Sequence, residues 1–330
     1  MKKLLFVTMV MVLALVFVGC ADNRTANPVR AGVTDRSDQL FIQVSALGSL
    51  PYFYDHRMGM ERVGLEMGVR TEFVGPADLD INAMIAAFEQ AIARRPQGIV
   101  VVGFEESLNP IVNEAVRQGI PVVTVDADLP NSDRIAFVGT GNFNAGRTGG
   151  EYLASLINGR GTVAILTMPG QSNLEERVAG YLHAFNNFPD IEVVQIADTR
   201  SDPVVAAQAA AAILQRHPYL TAFVCTESAG GAGAAMAVRE AGLVGRVHII
   251  AMDRDNEVVS AIEEGVITAS VAQQTALMPF YATLILYNLY NSAVSITTNN
   301  QAAGVAGVPQ MIDTGVVIVN ADNARYFWRR

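Results

Sequence analysis

Lysine is almost missing from this chain. Lys2 and Lys3 are the only two in 330 residues, so the body relies on arginine for permanent positive charge. That absence excludes a P-loop lysine, a Schiff-base lysine and an anchor for pyridoxal phosphate. Cysteine is nearly as scarce, with Cys20 near one end and Cys225 inside the apolar run Ala222–Cys225. No disulfide framework is possible, and Cys225 reads as a buried thiol behaving as a small hydrophobe. The four histidines, His56, His183, His217 and His248, lack the paired spacing of a zinc site, and no GxSxG elbow occurs. A net charge of −9 gives no electrostatic footprint for nucleic acid, which is not expected as a partner.

What is present is apolar. Hydrophobic residues make up 51% and charged residues only 17%, a profile suited to a tightly packed α/β protein with little disorder. The length leaves room for two domains of ordinary size. Residues 1–19 have the charged start and short apolar core of a secretory signal. The apolar run Leu4–Val18 is shorter than the roughly 20 residues a membrane span needs. It ends in Phe17-Val-Gly-Cys20, which resembles the lipobox of bacterial lipoproteins. Cleavage before Cys20 and acylation of its thiol are the expectation, with residues 20–37 as a lipidated, polar tether.

From Leu40 the chain alternates short apolar runs with longer amphipathic or Ala-rich segments. Strands are expected at 40–44, 69–74, 98–102, 121–125, 135–138, 162–166, 191–196, 222–225, 247–251 and 267–271. Helices are expected at 81–95, 108–118, 145–157, 203–216 and 229–241, among others. The alternation argues for parallel sheets covered by helices, and so many strands fit two smaller sheets better than one. The stretch Gly119–Asp128 is the most informative. A short unbroken apolar run fits a strand buried on both faces, and it ends at Asp126 and Asp128. Open α/β sheets place ligands just past the carboxyl ends of their strands. Both aspartates also suit a turn before Pro130.

The two halves echo one another. Glu114-Ala-Val-Arg-Gln-Gly119 is matched by Met236-Ala-Val-Arg-Glu-Ala-Gly242, and each is followed by a strand that ends in an aspartate, Asp126 or Asp253. Two lobes of similar topology, each aiming an aspartate at a shared cleft, follow from this. Gly230–Ala235 lacks the GxGxxG spacing, and Glu227 at its mouth repels a pyrophosphate. Gly139–Gly146 is no P-loop, and better suits a crossing between lobes followed by a helix with Asn144 near its N-cap. No cofactor is expected.

These residues carry a resemblance. Val44–Phe53, Ile120–Asp126, Phe137–Gly146, Glu176–Tyr181, His217–Phe223, Ile250–Asp253, Ala269–Gln273 and Ile312–Gly315 occur in the order found in periplasmic sugar-binding proteins of the ribose- and xylose-binding type. Each match is weak alone; the common order over nearly the whole body is specific. The resemblance implies two Rossmann-like lobes joined by a three-strand hinge, the type I periplasmic binding protein fold shared with LacI-type ligand domains. It divides the body into 38–140 with 275–311 and 141–274 with 312–330. It implies a non-catalytic monomer that captures a monosaccharide between the lobes and hands it to an ABC permease, from a lipid anchor outside the cytoplasmic membrane. The alternative is a sensor subunit that presents the ligand to a chemoreceptor or sensor kinase. A repressor is disfavoured, since residues 1–37 hold a signal and tether instead of a helix-turn-helix.

Carried over by position, Tyr52 and Phe53 would stack on the sugar's C–H face, and Asp126 would take hydroxyls from the first lobe. Arg177 and Asp253 would bind the rim from the second, with Gln273 beside a crossing. The chain departs from the ribose-type pattern at Ala127, where an arginine is usual, and at Glu227, where an asparagine is usual; an aromatic usual in the second lobe aligns near Thr199. Asp128 and Glu227 then imply a more acidic site. Ribose, xylose, a hexose or a polyol all fit, and an amino sugar suits the carboxylates.

Overall fold

The computed structural model describes residues 33–292 and 294–329. The signal segment, the lipobox and Cys20 lie outside the described residues.

The first sheet begins with β1 (Arg36–Val44), which leads through helix α1 (Tyr52–Met67) into β2 (Val69–Val74). Helix α2 (Ile81–Ala93), β3 (Gly98–Val102), helix α3 (Asn109–Arg117), β4 (Val122–Val125) and β5 (Ala136–Gly139) follow. Helix α2 starts where Asp80 accepts the amide of Ala83, a side-chain cap of the expected kind. Every residue of β3 and β4 is buried, the mark of strands covered on both faces.

The second sheet repeats the scheme. Helix α4 (Asn142–Leu156), β6 (Arg160–Thr167), helix α5 (Ser172–Phe185), β7 (Asp190–Asp198) and helix α6 (Pro203–Arg216) come first. Then come β8 (Ala222–Cys225), helix α7 (Ser228–Glu240), β9 (His248–Met252), helix α8 (Asn256–Glu263) and β10 (Ala269–Gln273). Helix α9 (Leu277–Ser292) returns to pack on the first sheet, where Met278, Ala282, Ile285 and Leu286 join Phe41, Val100 and Val123. β11 (Met311–Asp313) and β12 (Val316–Asn320) complete the count among the described residues.

Strand order is β11-β5-β4-β3-β1-β2 in one sheet and β12-β10-β9-β8-β6-β7 in the other. All recorded pairings are parallel except β10 with β12. This is the expected α/β architecture of two similar lobes. The chain crosses between the sheets after β5, after β10 and between β11 and β12. The last crossing falls at Thr314 and Gly315, later than the expected break after residue 311. Ile312 and Asp313 still pair with Val138 and Gly139 of the first sheet, and the turn comes only where Gly315 takes a φ of 70°.

The first and third crossings are tied together. Asp313 accepts from the Gly141 amide at 2.7 Å, the Gly315 amide at 2.8 Å and the Asn144 side chain at 3.2 Å. A Cβ on Gly141 would stand 2.1 Å from the Asp313 carboxylate, so only glycine admits this cap. Asn144 thus acts near the start of α4 as a donor to Asp313, and Gly141 is the N-cap residue.

Candidate ligand-binding site

The two strand-end aspartates occupy equivalent positions with the same unusual backbone. Asp126 has φ 66° and Asp253 φ 68°, left-handed values that aspartate tolerates better than most residues. In both, the amide donates to the neighbouring strand, Asp126 to the Val138 carbonyl at 3.1 Å and Asp253 to Val271 at 3.0 Å. The last ladder bond is therefore kept while the chain turns. Such a conformation costs on the order of 1 kcal/mol and marks a place where function overrides local preference.

Between the lobes lies a cavity of about 280 Å³, lined by Tyr52, Asp126 and Ala127 from the first lobe. Met168, Gln171, Asn173, Leu174, Arg177, Ser201, Glu227, Asp253 and Gln273 line it from the second. Its volume is at the small end of the roughly 300–1,000 Å³ range of small-molecule sites. The larger hollow of about 840 Å³ beside Gln97, Pro121 and Ile135 lies at the opposite, amino ends of the first sheet's strands. It brings together no paired acids and base, and the carboxyl-end cavity carries the chemistry.

Arg177 is the hub of the second-lobe wall. Its helix can lie close on α4 because each helix turns one glycine to the other's backbone. A Cβ at Gly146 would sit 1.9 Å from the Arg177 carbonyl, and one at Gly180 2.1 Å from the Phe143 carbonyl. So placed, the buried guanidinium donates to Asn142 Oδ1 at 2.9 Å, the Thr226 carbonyl at 2.8 Å and Gln273 Oε1 at 3.2 Å. Three of the five N–H groups of a guanidinium are used this way among the described residues. Gln273 also accepts from Thr140 at 2.8 Å and donates to Asp253 at 2.8 Å, so its amide joins a crossing to the site.

Tyr52 opens α1 and donates its hydroxyl to Asp126 at 2.6 Å. Burial pushes the Asp126 carboxyl up to about 6; the Tyr52 bond opposes this, Asp253 adds to it, and Arg177 pulls it back. Burial also raises Asp253 above the usual carboxylate range, against Arg177 and Gln273, which favour its charge. The Tyr52 phenol is held protonated chiefly by burial and then by the two carboxylates. The site therefore offers acceptors at Asp126 and Asp253, donors at Arg177 and a phenolic ring.

Of three further expected residues, two stand outside the cavity and one lines it with its carboxylate engaged. Phe53 is 2% exposed and packs edge-on to Phe104 and His56 in the first-lobe core. Neighbours on a helix point about 100° apart, so the cleft receives Tyr52 and the core receives Phe53. Asp128 pairs with Arg134 through both oxygens and accepts from Thr124 and the Leu129 amide, which makes it a loop brace outside the cavity. Glu227 reaches the cavity wall, but its carboxylate caps α7. It accepts from the Ala229 amide at 2.7 Å, the Gly230 amide at 2.9 Å and Thr199 at 2.8 Å. Sequence reading missed Met168, Gln171 and Asn173. They lie just past the carboxyl end of β6, where the rule applied to Asp126 would have found them.

Known proteins carry the same framework. Residues 44–294 match the periplasmic binding protein domain. The chain belongs to the periplasmic binding protein family. This binding protein is a solute-binding protein and not an enzyme, and its family implies an extracytoplasmic location. It is similar to the D-allose-binding periplasmic protein of Escherichia coli, 29% identical over 240 residues that cover 69% of this chain and 77% of the relative. Among solved structures it resembles an arabinose-binding protein from Geobacillus stearothermophilus, with a TM-score of 0.84 and 30% identity over 89% of this chain and all of that one. A sugar-binding protein of a sugar ABC transporter from Bacillus halodurans gives a TM-score of 0.83 and 32% identity over 88% of this chain and all of that one.

Proposed function

We propose that this binding protein captures a monosaccharide in the interlobe cavity and delivers it to an ABC importer, from a lipid anchor on Cys20. The observation that carries the reading is the pair of strand-end aspartates, one per lobe, facing one cavity with Arg177 between them. Sugars present a rim of hydroxyls around an apolar face. Carboxylates accept from that rim, a guanidinium donates to it, and Tyr52 with Met168 supplies the apolar contact. The names of the relatives, which bind allose or arabinose, support an aldopentose or aldohexose ring, and the acidity of the wall also admits an amino sugar.

Ligand contacts in this reading come from Tyr52, Asp126, Arg177, Asp253 and Gln273, while Phe53, Asp128 and Glu227 shape the frame. The lobes move as 33–139 with 277–313 against 142–273 with 316–329, closing about the three crossings, and the protein acts as a monomer. A melting-temperature screen of residues 33–330 against pentoses, hexoses, polyols and amino sugars tests the proposal. A ligand bound to the folded state alone raises its stability, by about 2.7 kcal/mol at a hundred times Kd. A panel in which no sugar or polyol raises the melting temperature overturns the substrate class. Metabolic labelling with a radioactive fatty acid, lost in Cys20→Ala, tests the anchor.

A further inference from the structure

A second set of charges joins the lobes behind the site. Asp55 lies on α1, one turn beyond Tyr52, with its side chain only 4% exposed. It accepts from Arg254 Nη2 at 2.6 Å, Thr275 Oγ1 at 2.6 Å and Arg329 Nε at 3.4 Å. Arg254 and the segment Phe327–Arg329 belong to the second lobe. The Phe327 carbonyl accepts from Arg254 at 2.9 Å, the Arg329 amide donates to Asn256 at 2.9 Å, and the Arg329 carbonyl accepts from Asn256 at 3.2 Å. Arg329 also donates to Asp255 at the head of α8. From this seat its guanidinium, itself 4% exposed, stands 5.4 Å from the centre of the Tyr52 ring.

We propose that Arg329 is a positioning residue and an interlobe latch: clipped to the second lobe, it backs the Tyr52 ring and grips Asp55 of the first. The physical case rests on burial. A carboxylate this desolvated is stable only while its partners are in place, and removing one partner of a buried pair is far more costly than the pair is worth net. When the lobes part, water reaches all three charges and repays the lost contacts; when they shut, Arg254 and Arg329 must both be present. The cation lies on the face of Tyr52, whose hydroxyl is fixed on Asp126. One side chain therefore links closure of the second lobe to the orientation of a first-lobe contact. Ligand residence, more than encounter, depends on it.

The inference rests on the proposed function only for its ligand readout, and two measurements keep the failures apart. In the first, the sugar giving the largest melting shift is used in stopped-flow binding. Arg329→Ala is expected to raise koff about tenfold with kon changed less than threefold, and Arg329→Lys, which keeps the charge, to recover part of the loss. In the second, spin labels at Glu89→Cys and Gln215→Cys, both exposed and one in each lobe, report the interlobe distance without any sugar. Buried Cys225 does not compete for label. Arg329→Ala is expected to lengthen or broaden that distance distribution while the ligand-free melting temperature stays within about 3 °C. Identical distributions in the parent and Arg329→Ala overturn the latch whether or not a sugar binds. So does an equal loss of affinity in Arg329→Ala and Arg329→Lys accompanied by a large fall in melting temperature, which marks a merely structural role.

Discussion

The two lobes place the same residue in the same conformation and then treat it differently. Asp253 is met inside its own lobe by Gln273, with Arg177 close enough to favour its charge. Asp126 has the Tyr52 hydroxyl, and its nearest cation, Arg177, is on the opposite lobe. Burial acts on both, yet the half-site of the first lobe is the less compensated, with its carboxyl up at about 6. One half is prearranged and the other is an acceptor short of donors. A ligand that brings hydroxyls satisfies the first lobe at the moment it bridges to the second.

The sharpest break in that comparison is Arg177→Met. It removes a buried, hydrogen-bonded charge shared by Asn142, Thr226, Gln273 and the cavity. Truncation of such a partner costs about 2–5 kcal/mol, so calorimetry is expected to show affinity lowered by about 30-fold or more. A loss below about fivefold would remove Arg177 from the site.

Asp126→Asn comes next. A hydrogen bond to a charged group contributes about 1.5–3 kcal/mol, which corresponds to roughly 10- to 100-fold in Kd. The same variant is expected to melt higher than the parent near pH 8 and no higher near pH 4, since it removes an uncompensated buried charge. The sign follows from linkage. The folded state holds the Asp126 proton up to about pH 6, whereas the ordinary value is 3.8, so the folded state binds more protons between the two. Stability of the unliganded protein therefore falls as pH rises from about 4 to about 6. Binding has the opposite slope, because sugar hydroxyls donate to the ionised form: Kd is expected to weaken as pH drops below about 6. Titration calorimetry at pH 5 and pH 8 checks this, and in Asp126→Asn the difference should shrink.

The smallest effect on binding is expected at Asp128. Asp128→Ala leaves Arg134 half-buried without its partner, and thermal melting should fall by a few degrees while Kd stays within twofold. A large change in Kd with unchanged melting temperature contradicts the brace and returns Asp128 to the cavity.

Most of the sheet was legible in the sequence because parallel strands buried on both faces read as unbroken apolar runs. β2, β3 and β8 begin and end where those runs do. β11 and β12 were not read as strands. Both are edge strands; β11 is only three residues and largely exposed, and β12, although Val316–Val319 is an unbroken apolar run, is mostly half-buried. In the site, Tyr52, Asp126, Arg177, Asp253 and Gln273, the residues to which the resemblance gives ligand roles, line the cavity between the lobes. Glu227 lines the cavity as well, and its second role, capping α7, went unmarked for a physical reason. Glutamate is not among the favoured N-cap residues, so nothing in the sequence marked it as the cap of α7. The Asp55–Arg254–Arg329 cluster was invisible because its members are 199 and 274 residues apart and no local pattern joins them.

The carboxylate of Asp313 has a mechanical meaning as well as a structural one. By holding Gly141 and Gly315 at once, it splices two of the three crossings into a single axle. Separate threads would let the lobes slide, twist and gape independently. In the proposed closing motion, splicing them favours a single rotation, the swing that brings Asp253 toward Asp126. Weakening the splice by Asp313→Ala adds directions of motion without touching a sugar contact, and so acts on the rhythm of opening and shutting more than on the shape of the closed cavity.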